Sequence, residues 1–156
     1  MRALVQRVTR ARVTVEGRVT GAIDGGLLVL IGATHGDGAA QAAWLAGKVA
    51  GLRVFADAGG LMNLDLRQSG GAALVVPQFT LYGDARRGRR PDFTQAARPA
   101  EAEPLCESFC ERLAAEGVRV ERGVFGAHME VELLNDGPVT LLVETPAAEP
   151  ARAEAG

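Results

Sequence analysis

Residues 1–34 read MRALVQRVTRARVTVEGRVTGAIDGGLLVLIGAT, and this stretch determines the fold class. Apolar and polar residues alternate through most of it, which is the period-two pattern of half-buried strands. Glu16-Gly17 and Asp24-Gly25-Gly26 interrupt the alternation with residue types that form tight turns. The stretch therefore predicts a β-meander with strands at 2–9 continued by 12–16, at 18–23 and at 26–33.

Beyond the meander, helical and strand patterns follow one another along the chain. Two segments carry apolar residues at helical spacing, namely Ala42, Leu45, Val49 and Leu52, and then Leu105, Phe109 and Leu113. They predict helices over about 38–51 and 100–116. Further strands are predicted at 53–55, 62–66, 72–81 and 118–122, and a long loop at 82–97. A hairpin is predicted from strands at 129–134 and 139–144, with Asn135-Asp136-Gly137 as its turn.

These elements predict an α+β fold, with a mostly antiparallel, barrel-like β-sheet and two packed helices in a single domain. The domain is expected to cover residues 1–145. Residues 146–156 are Ala, Glu and Pro with little apolar content, so a disordered C-terminal tail is expected there.

Composition places the chain among ordinary globular proteins. It has 156 residues, 47% of them apolar, and a net charge of −2. No apolar run approaches the roughly 18 residues of a membrane span, and the arginine-rich start is unlike a signal peptide. We therefore expect a cytoplasmic protein, and the overall charge alone does not indicate nucleic-acid binding.

The familiar catalytic motifs are missing from the sequence. Ser69 and Ser108 do not lie in a G-x-S-x-G elbow, and His35 and His128 are the only two histidines. Zinc-site spacing, a P-loop and a dinucleotide-binding fingerprint are also absent, so we expect neither metal nor cofactor. Catalysis by this chain would have to rely on backbone groups or on the substrate itself.

The first informative segment is LVVPQFTLYGD at residues 74–84, where an apolar strand meets a proline and polar residues. Pro77 has no backbone N–H and can splay the strand, which would free the amides of Gln78 and Phe79 to face a ligand. Adjacent amides of this kind stabilise the oxyanion that develops during ester hydrolysis. The alternative is an ordinary strand end with a bulge.

The second informative segment is LNDGPVT at residues 134–140. By its residue types alone, it is a tight hairpin turn followed by a proline that opens the next strand. The sequence does not establish whether the Gly137-Pro138 bond is cis, because only about one X-Pro bond in twenty is.

Taken together, the two segments resemble the paired signature S-Q-F-T-L and N-x-G-P-x-T of the D-aminoacyl-tRNA deacylases. The similarity extends to MRALVQRV at residues 1–8 and GVFGAHM at 123–129. It covers residues 1 to about 145, in the order and spacing of the family.

The resemblance implies a homodimer that hydrolyses the ester bond of D-aminoacyl-tRNA, and also of mischarged glycyl-tRNA. Gly137 and Pro138 of each subunit would enter the partner's site in cis form, and their carbonyl oxygens would leave no space for an L side chain. This Gly-cisPro proofreading works by exclusion. The resemblance also assigns Phe125, Met129 and Asn135 to the substrate site.

For catalysis, the resemblance implies that the amides around Gln78 and Phe79 form an oxyanion hole and that Thr80 lines the site. The 2′-hydroxyl of the terminal ribose of the tRNA would help to activate water. Arg7 resembles the residue that braces the incoming Gly-Pro loop, although a structural strand arginine is an alternative. Pro77 departs from the family, because many members have serine there. The donors must therefore begin at Gln78.

A cluster of basic residues follows the first segment, namely Arg86, Arg87, Arg89 and Arg90. It is either a solvated charged loop or a surface that contacts the phosphates of tRNA. Two alternatives to a deacylase stay open, a non-catalytic RNA-binding module with this fold and a general hydrolase of small esters.

Overall fold

The computed structural model describes residues 1–147. Within this range the strands are β1 (Arg2–Val15), β2 (Arg18–Ile23), β3 (Gly26–Gly32), β4 (Phe55–Ala56), β5 (Met62–Leu64), β6 (Ala72–Pro77), β7 (Arg119–Arg122) and β8 (Glu130–Glu144). The helices are α1 (Ala39–Gly51), α2 (Leu66–Ser69) and α3 (Pro99–Ala115), and a 3₁₀ turn covers Phe79–Tyr82. The tail predicted at 146–156 lies outside the described residues from position 148 onward.

Strand β1 is the centre of the main sheet because it pairs with three other strands, all antiparallel. On one edge its first half pairs with β3 and its second half with β2. On the other edge it pairs with β8 along nearly its whole length. Buried residues alternate with more exposed ones through much of β1, as the sequence pattern predicted. The predicted meander of β1, β2 and β3 is present, with β1 as one unbroken strand.

The remaining strands of the main sheet are parallel. β3 pairs with β6, and β6 pairs with β7. Parallel neighbours need a long crossover connection, and the segments that contain α1 and α3 provide one for each pair. β2 contacts β6 and β7, so the sheet nearly closes on itself. The predicted α+β class and barrel-like sheet are confirmed, whereas the two parallel pairings were not predicted.

The two long helices pack on the sheet and on each other. α1 buries one stripe of small and branched residues, and α3 buries a stripe around Phe109, which is fully buried. Complete burial of a side chain of this size contributes about 1.5–3 kcal/mol to the free energy of unfolding. The third helix, α2, is a single turn whose first residue, Leu66, was predicted as the end of a strand. None of the described helices has the length and apolarity that crossing a membrane requires.

The predicted hairpin at 129–144 is wrong, because β8 is one continuous strand. Both of its halves pair with β1, and the register shifts between them. Thr140 lies opposite Gln6 while Asn135 lies opposite Val8, so residues 136–139 bulge out opposite Arg7. The turn-forming sequence therefore produces only a local bulge, because pairing with β1 on both sides keeps the chain in the same direction.

Other predicted strands have different bounds. The strand predicted at 72–81 ends at Pro77, and the 3₁₀ turn follows it. The strand predicted at 62–66 ends at Leu64, because the Asp65 carboxylate accepts a hydrogen bond from the Gln68 amide at 2.9 Å and caps α2. Of the strand predicted at 53–55 only Phe55 is in a strand, the two-residue β4 (Phe55–Ala56).

Candidate active site

A cavity of about 580 Å³ opens at the carboxyl ends of the parallel strands β3 and β6. One wall consists of residues 31–33 and 76–79 from these strand ends. The other walls come from the start of α3, from Phe93 and residues 96–98 before it, and from residues 125–129 and Val131. Carboxyl ends of neighbouring parallel strands are a common position for ligand sites in α/β sheets. The position of the cavity is therefore typical of a substrate site.

The backbone at the first signature segment differs from the prediction at Gln78. Its amide donates a hydrogen bond to the carbonyl oxygen of Ile31 at 2.6 Å. Pro77 is the last residue of β6 that pairs with β3, opposite Ile31, and the Gln78 amide completes this pairing instead of being freed. Gln78 is therefore not an oxyanion donor through its backbone, and the prediction that it would be one is wrong.

The amides that have no partner are the next two. The first hydrogen bond of the 3₁₀ turn runs from the Leu81 amide to the Gln78 carbonyl at 3.2 Å. Because the first amides of any helical turn precede its first internal hydrogen bond, those of Phe79 and Thr80 remain unused. Within residues 1–147 neither amide has a hydrogen-bond acceptor. Phe79 lines the cavity, and Thr80 is the next residue along the chain.

The side chains of Gln78 and Thr80 contact each other next to these amides. The Gln78 amide nitrogen Nε2 donates a hydrogen bond to Thr80 Oγ1. The threonine hydroxyl is therefore an acceptor in this contact, and its own proton is available to another acceptor. Gln78, Phe79 and Thr80 form one local unit at the end of β6.

Two residues from the segment before β8 join this unit. Phe125 and Met129 line the same cavity as Gln78 and Phe79. The Met129 sulfur accepts a contact from the Val124 amide at 3.3 Å, which holds the segment in a closed loop. The structure thus brings four of the predicted site residues together around one cavity, with Thr80 adjacent.

The Gly-Pro loop, residues 135–139, has its own set of supporting contacts. Asn135 Oδ1 accepts a hydrogen bond from the Val139 amide at 2.9 Å, and Asn135 Nδ2 donates to the Val139 carbonyl and to Thr140 Oγ1, each at 3.1 Å. Arg7 Nε donates to the Asp136 carbonyl at 2.9 Å, and its guanidinium also donates to the Val54 carbonyl. Arg7 therefore braces the Gly-Pro loop of its own chain.

Gly137 has a backbone conformation that suits glycine. Its φ is +141°, and the Gly137-Pro138 peptide bond is cis. A Cβ atom at this position would lie 2.9 Å from Val139 Cγ2 and 3.2 Å from an Arg7 nitrogen. A larger residue would therefore strain the backbone and displace the loop.

Within one chain, the Gly-Pro loop does not meet the cavity. The loop lies opposite Arg7, which pairs with Leu27 in β3, whereas the cavity begins at Ile31, four residues further along that strand. At the usual rise of a strand this separation is about 13 Å. The two signature segments are thus at different levels of the same barrel.

The basic cluster forms a closed loop beside the cavity. The amide of Asp84 donates to the Asp92 carbonyl at 2.7 Å, and the reverse bond is 2.8 Å long. Arg86 donates to both carboxylate oxygens of Asp84, and these hydrogen bonds lower the pKa of Asp84 to about 2. One of the four arginines is therefore already paired at neutral pH. The cluster is exposed, and Arg86 remains 81% exposed despite its partner.

The D-Tyr-tRNA(Tyr) deacylase family matches residues 4–144 of this chain. The chain belongs to this family. A D-aminoacyl-tRNA deacylase of Symbiobacterium thermophilum is 60% identical to it over 145 residues, covering 93% of this chain and 96% of the relative. A D-aminoacyl-tRNA deacylase of Thermus aquaticus is 57% identical, covering 93% of this chain and 95% of that relative. The similarity noted in the sequence therefore extends over the whole described barrel.

Solved structures share the fold of this deacylase-family chain. The c-Myc DNA Unwinding Element Binding Protein superposes with a TM-score of 0.88 at 40% identity, and the match covers 94% of this chain and 100% of that protein. A structure described as a probable eukaryotic D-amino acid tRNA deacylase superposes with a TM-score of 0.78 over 91% of this chain and 97% of its own. At 18% identity, the second match shows the fold alone.

Several residues of this family member's cavity were not predicted from the sequence. Phe93, Cys106 and His128 line it, yet no local pattern distinguishes them from loop or core residues. Burial raises the pKa of the Cys106 thiol to about 12, so this side chain is neutral at physiological pH. In the part of the chain that is described, no group of three or more His, Cys, Asp or Glu side chains is arranged to hold a metal ion.

Proposed function

We propose that this chain hydrolyses the ester bond of D-aminoacyl-tRNA and releases the free D-amino acid and the tRNA. The observation that carries the proposal is the pair of unused amides at Phe79 and Thr80, within the segment that matches the family signature. Ester hydrolysis needs donors at the position where negative charge develops, and such donors cost no reorganisation during the reaction.

The reaction proceeds by attack of water on the ester carbonyl carbon. A bond forms from the water oxygen to this carbon, and the carbonyl oxygen becomes an oxyanion that accepts from the two amides. The bond from the carbon to the ribose oxygen then breaks, and a proton passes to that oxygen. The 2′-hydroxyl of the terminal ribose, as the family resemblance implies, helps to activate the water. Pro77 takes no part as a donor, because it has neither a hydroxyl nor an N–H.

Selection against L-amino acids is proposed to come from the Gly-Pro loop of a second copy of the chain. Since the loop of one chain is about 13 Å of strand away from its own cavity, it does not screen that cavity. A homodimer in which each Gly137 and Pro138 enters the partner's site would remove this difficulty. The contacts of Asn135 and Arg7 would then hold the loop rigid enough to reject a side chain by steric exclusion.

The exposed edge of β8 supports the same dimer. Beyond β1, no described strand pairs with β8, and four of its leucines are exposed, namely Leu133, Leu134, Leu141 and Leu142. A long apolar edge strand promotes uncontrolled association unless another chain covers it. The Gly-Pro loop lies between the two leucine pairs, so covering this edge would place the loop in the interface.

The same exclusion explains why glycine would be accepted. Glycine has no side chain for the loop to reject, so glycyl-tRNA mischarged on another tRNA is proposed as a second substrate. The exposed arginines at 86, 87, 89 and 90 are proposed to contact phosphates of the tRNA. We place this activity in the cytoplasm, where aminoacyl-tRNA is made and used.

The test compares hydrolysis of D-tyrosyl-tRNA, L-tyrosyl-tRNA and glycyl-tRNA by the purified protein. Selective release of D-tyrosine and glycine supports the proposal. Tight binding of tRNA without release of any amino acid would identify a non-catalytic RNA-binding module, and equal turnover of the D and L esters would identify a general ester hydrolase.

A further inference from the structure

Two phenylalanine rings lie exposed at the opening of the cavity. Phe79 is 56% exposed and Phe93 is 39% exposed, and both line the cavity wall. Their ring centroids are 5.3 Å apart and their planes meet at 72°, an edge-to-face arrangement. With Phe125, three of the five phenylalanines of the chain line this one cavity. Aromatic surface is therefore concentrated where a ligand enters.

Backbone contacts on both sides hold Phe93 in this position. The mutual hydrogen bonds of Asp84 and Asp92 close the loop just before it. After it, the Thr94 amide donates to the Asp92 carboxylate and the Thr94 carbonyl contacts His35 Nε2, both at 2.7 Å. A ring that is already held in place loses less conformational entropy when a ligand stacks on it.

The loop that ends at Phe93 is also positively charged. Residues 84–92 contain four arginines and two aspartates, so their net charge is 4 − 2 = +2. Arg87, Arg89 and Arg90 are exposed. Exposed aromatic rings beside a cationic segment are the combination by which proteins bind single-stranded nucleic acids, because every base has a π face and every nucleotide has a phosphate.

We propose that Phe93, together with the Phe79 ring, is a stacking surface for the base of the nucleotide that precedes the terminal adenosine of the tRNA. The inference rests on the proposed function, which places the aminoacylated adenosine in the cavity. The RNA strand must then leave through the opening, where the next base meets the two rings. The phosphate that links the two nucleosides lies on the side of the arginine loop.

Two small esters isolate this contact. Both carry D-alanine on a terminal adenosine, so that no aromatic amino acid competes for the rings. One has cytidine before the adenosine, and the other has an abasic ribose phosphate at that position. For the unchanged protein, kcat/KM for the cytidine ester is expected to exceed that for the abasic ester by about tenfold, chiefly through a lower KM.

The variant Phe93→Ala is expected to reduce this ratio to nearly one, and Phe93→Leu to do the same while keeping most of the apolar volume. Phe93→Tyr keeps the π face and should restore the ratio. Because the readout is a ratio of two substrates, a general loss of activity does not affect it, and Phe93→Leu provides the test if Phe93→Ala fails to fold.

A ratio near one in the unchanged protein, or a ratio that Phe93→Leu leaves at its original value, would overturn the inference. Both results differ from the result expected if the proposed function itself is wrong. If it is wrong, the unchanged protein would hydrolyse neither D-alanyl ester faster than its L counterpart.

Discussion

Replacing Phe79 with proline removes one backbone donor from the candidate oxyanion hole without breaking the element that carries it. Phe79 is the first residue of the 3₁₀ turn, where its amide has no acceptor within residues 1–147. Proline is tolerated at the first position of a helical turn, since its fixed φ already suits that position. The preceding residue must avoid the helical region, and Gln78 does so with φ −145° and ψ 80°.

The expected effect is large and falls on kcat. Removal of one oxyanion donor in other hydrolases lowers kcat by about 100- to 1,000-fold. Phe79→Pro also removes the exposed ring, so the matched control is Phe79→Ala, which lacks the ring but keeps the N–H. The ratio of kcat between the alanine and proline variants measures the amide alone, and we expect about 100-fold or more.

The assay is single-turnover release of D-tyrosine from D-tyrosyl-tRNA at saturating protein, with thermal unfolding of both variants as the folding check. If the proline variant is folded and its kcat lies within about threefold of the alanine variant, the Phe79 amide does not stabilise the transition state. The catalytic argument would then be wrong, even if D-selectivity were intact.

Three further predictions follow from particular contacts. Asn135→Ala removes three hydrogen bonds from the Gly-Pro loop, so we expect the free energy of unfolding to fall by about 1–3 kcal/mol and the Tm by roughly 3–10 °C. L-tyrosyl-tRNA should also be hydrolysed more readily. Asn135→Asp keeps the acceptor for the Val139 amide and should be intermediate, whereas an unchanged Tm in Asn135→Ala would show that the contacts are not stabilising. Burial raises the pKa of the Cys106 thiol to about 12 and that of the Cys110 thiol to about 11, from an ordinary 9.0. The stability that the two neutral thiols contribute is therefore complete below about pH 9 and is lost between about pH 9 and 12. Urea unfolding at about pH 8 and about pH 10.5 should show this loss, and a Cys106→Ala, Cys110→Ala double variant should show less of it. If both side chains contact phosphates, Arg87→Ala with Arg89→Ala should raise the KM for D-tyrosyl-tRNA and make the slope of log(1/KM) against log salt shallower by about 1.4–1.8. Arg86→Ala should change this slope less, because Asp84 already pairs with Arg86. Equal slopes in all proteins would show that the loop does not bind phosphate.

The parts of the fold that the sequence predicted well are those set by local periodicity. The alternation in residues 1–34 and the apolar stripes of α1 and α3 specify which face is buried, so strands and helices appear close to their predicted positions. Parallel pairing of β3 with β6 has no local signature. It depends on how α1 packs between the strands, which a pattern along the chain does not contain.

The wrongly predicted hairpin also shows that local sequence does not determine pairing between distant parts of the chain. Asn135-Asp136-Gly137 is a turn sequence by residue type, and it does bend the chain locally. The outcome depends on Gln6 and Val8, more than 120 positions away, which pair with residues on both sides of the bend and keep β8 straight. A turn-forming sequence in a long edge strand thus produces a bulge, and this bulge contains the Gly-Pro loop that we propose as the screen.

The amides without a hydrogen-bond partner begin one residue later than predicted, for a comparable reason. Pro77 indicates where the backbone hydrogen bonds between β6 and β3 lose a donor. Whether the Gln78 amide bonds to the Ile31 carbonyl depends on the length of β3, which the sequence around Pro77 does not contain. The cavity wall at Phe93 and His128 was beyond prediction, because these residues reach the site only through the tertiary fold.

The central claim is that each active site contains the cavity of one subunit and the Gly-Pro loop of the other. The direct test mixes two variants that each lack D-selective hydrolysis. Phe79→Pro lacks a donor in the cavity and should hydrolyse neither ester, whereas Gly137→Val has a displaced loop and should hydrolyse the D and L esters alike. After dissociation and reassociation of a 1:1 mixture, half of the dimers contain one of each, and one of their two sites combines an intact cavity with an intact loop. We expect the rate of D-tyrosyl-tRNA hydrolysis in excess of the L rate to return to about a quarter of its wild-type value. No recovery in mixtures shown to contain the mixed dimer would contradict it, because the cavity and loop would then have to act within one chain.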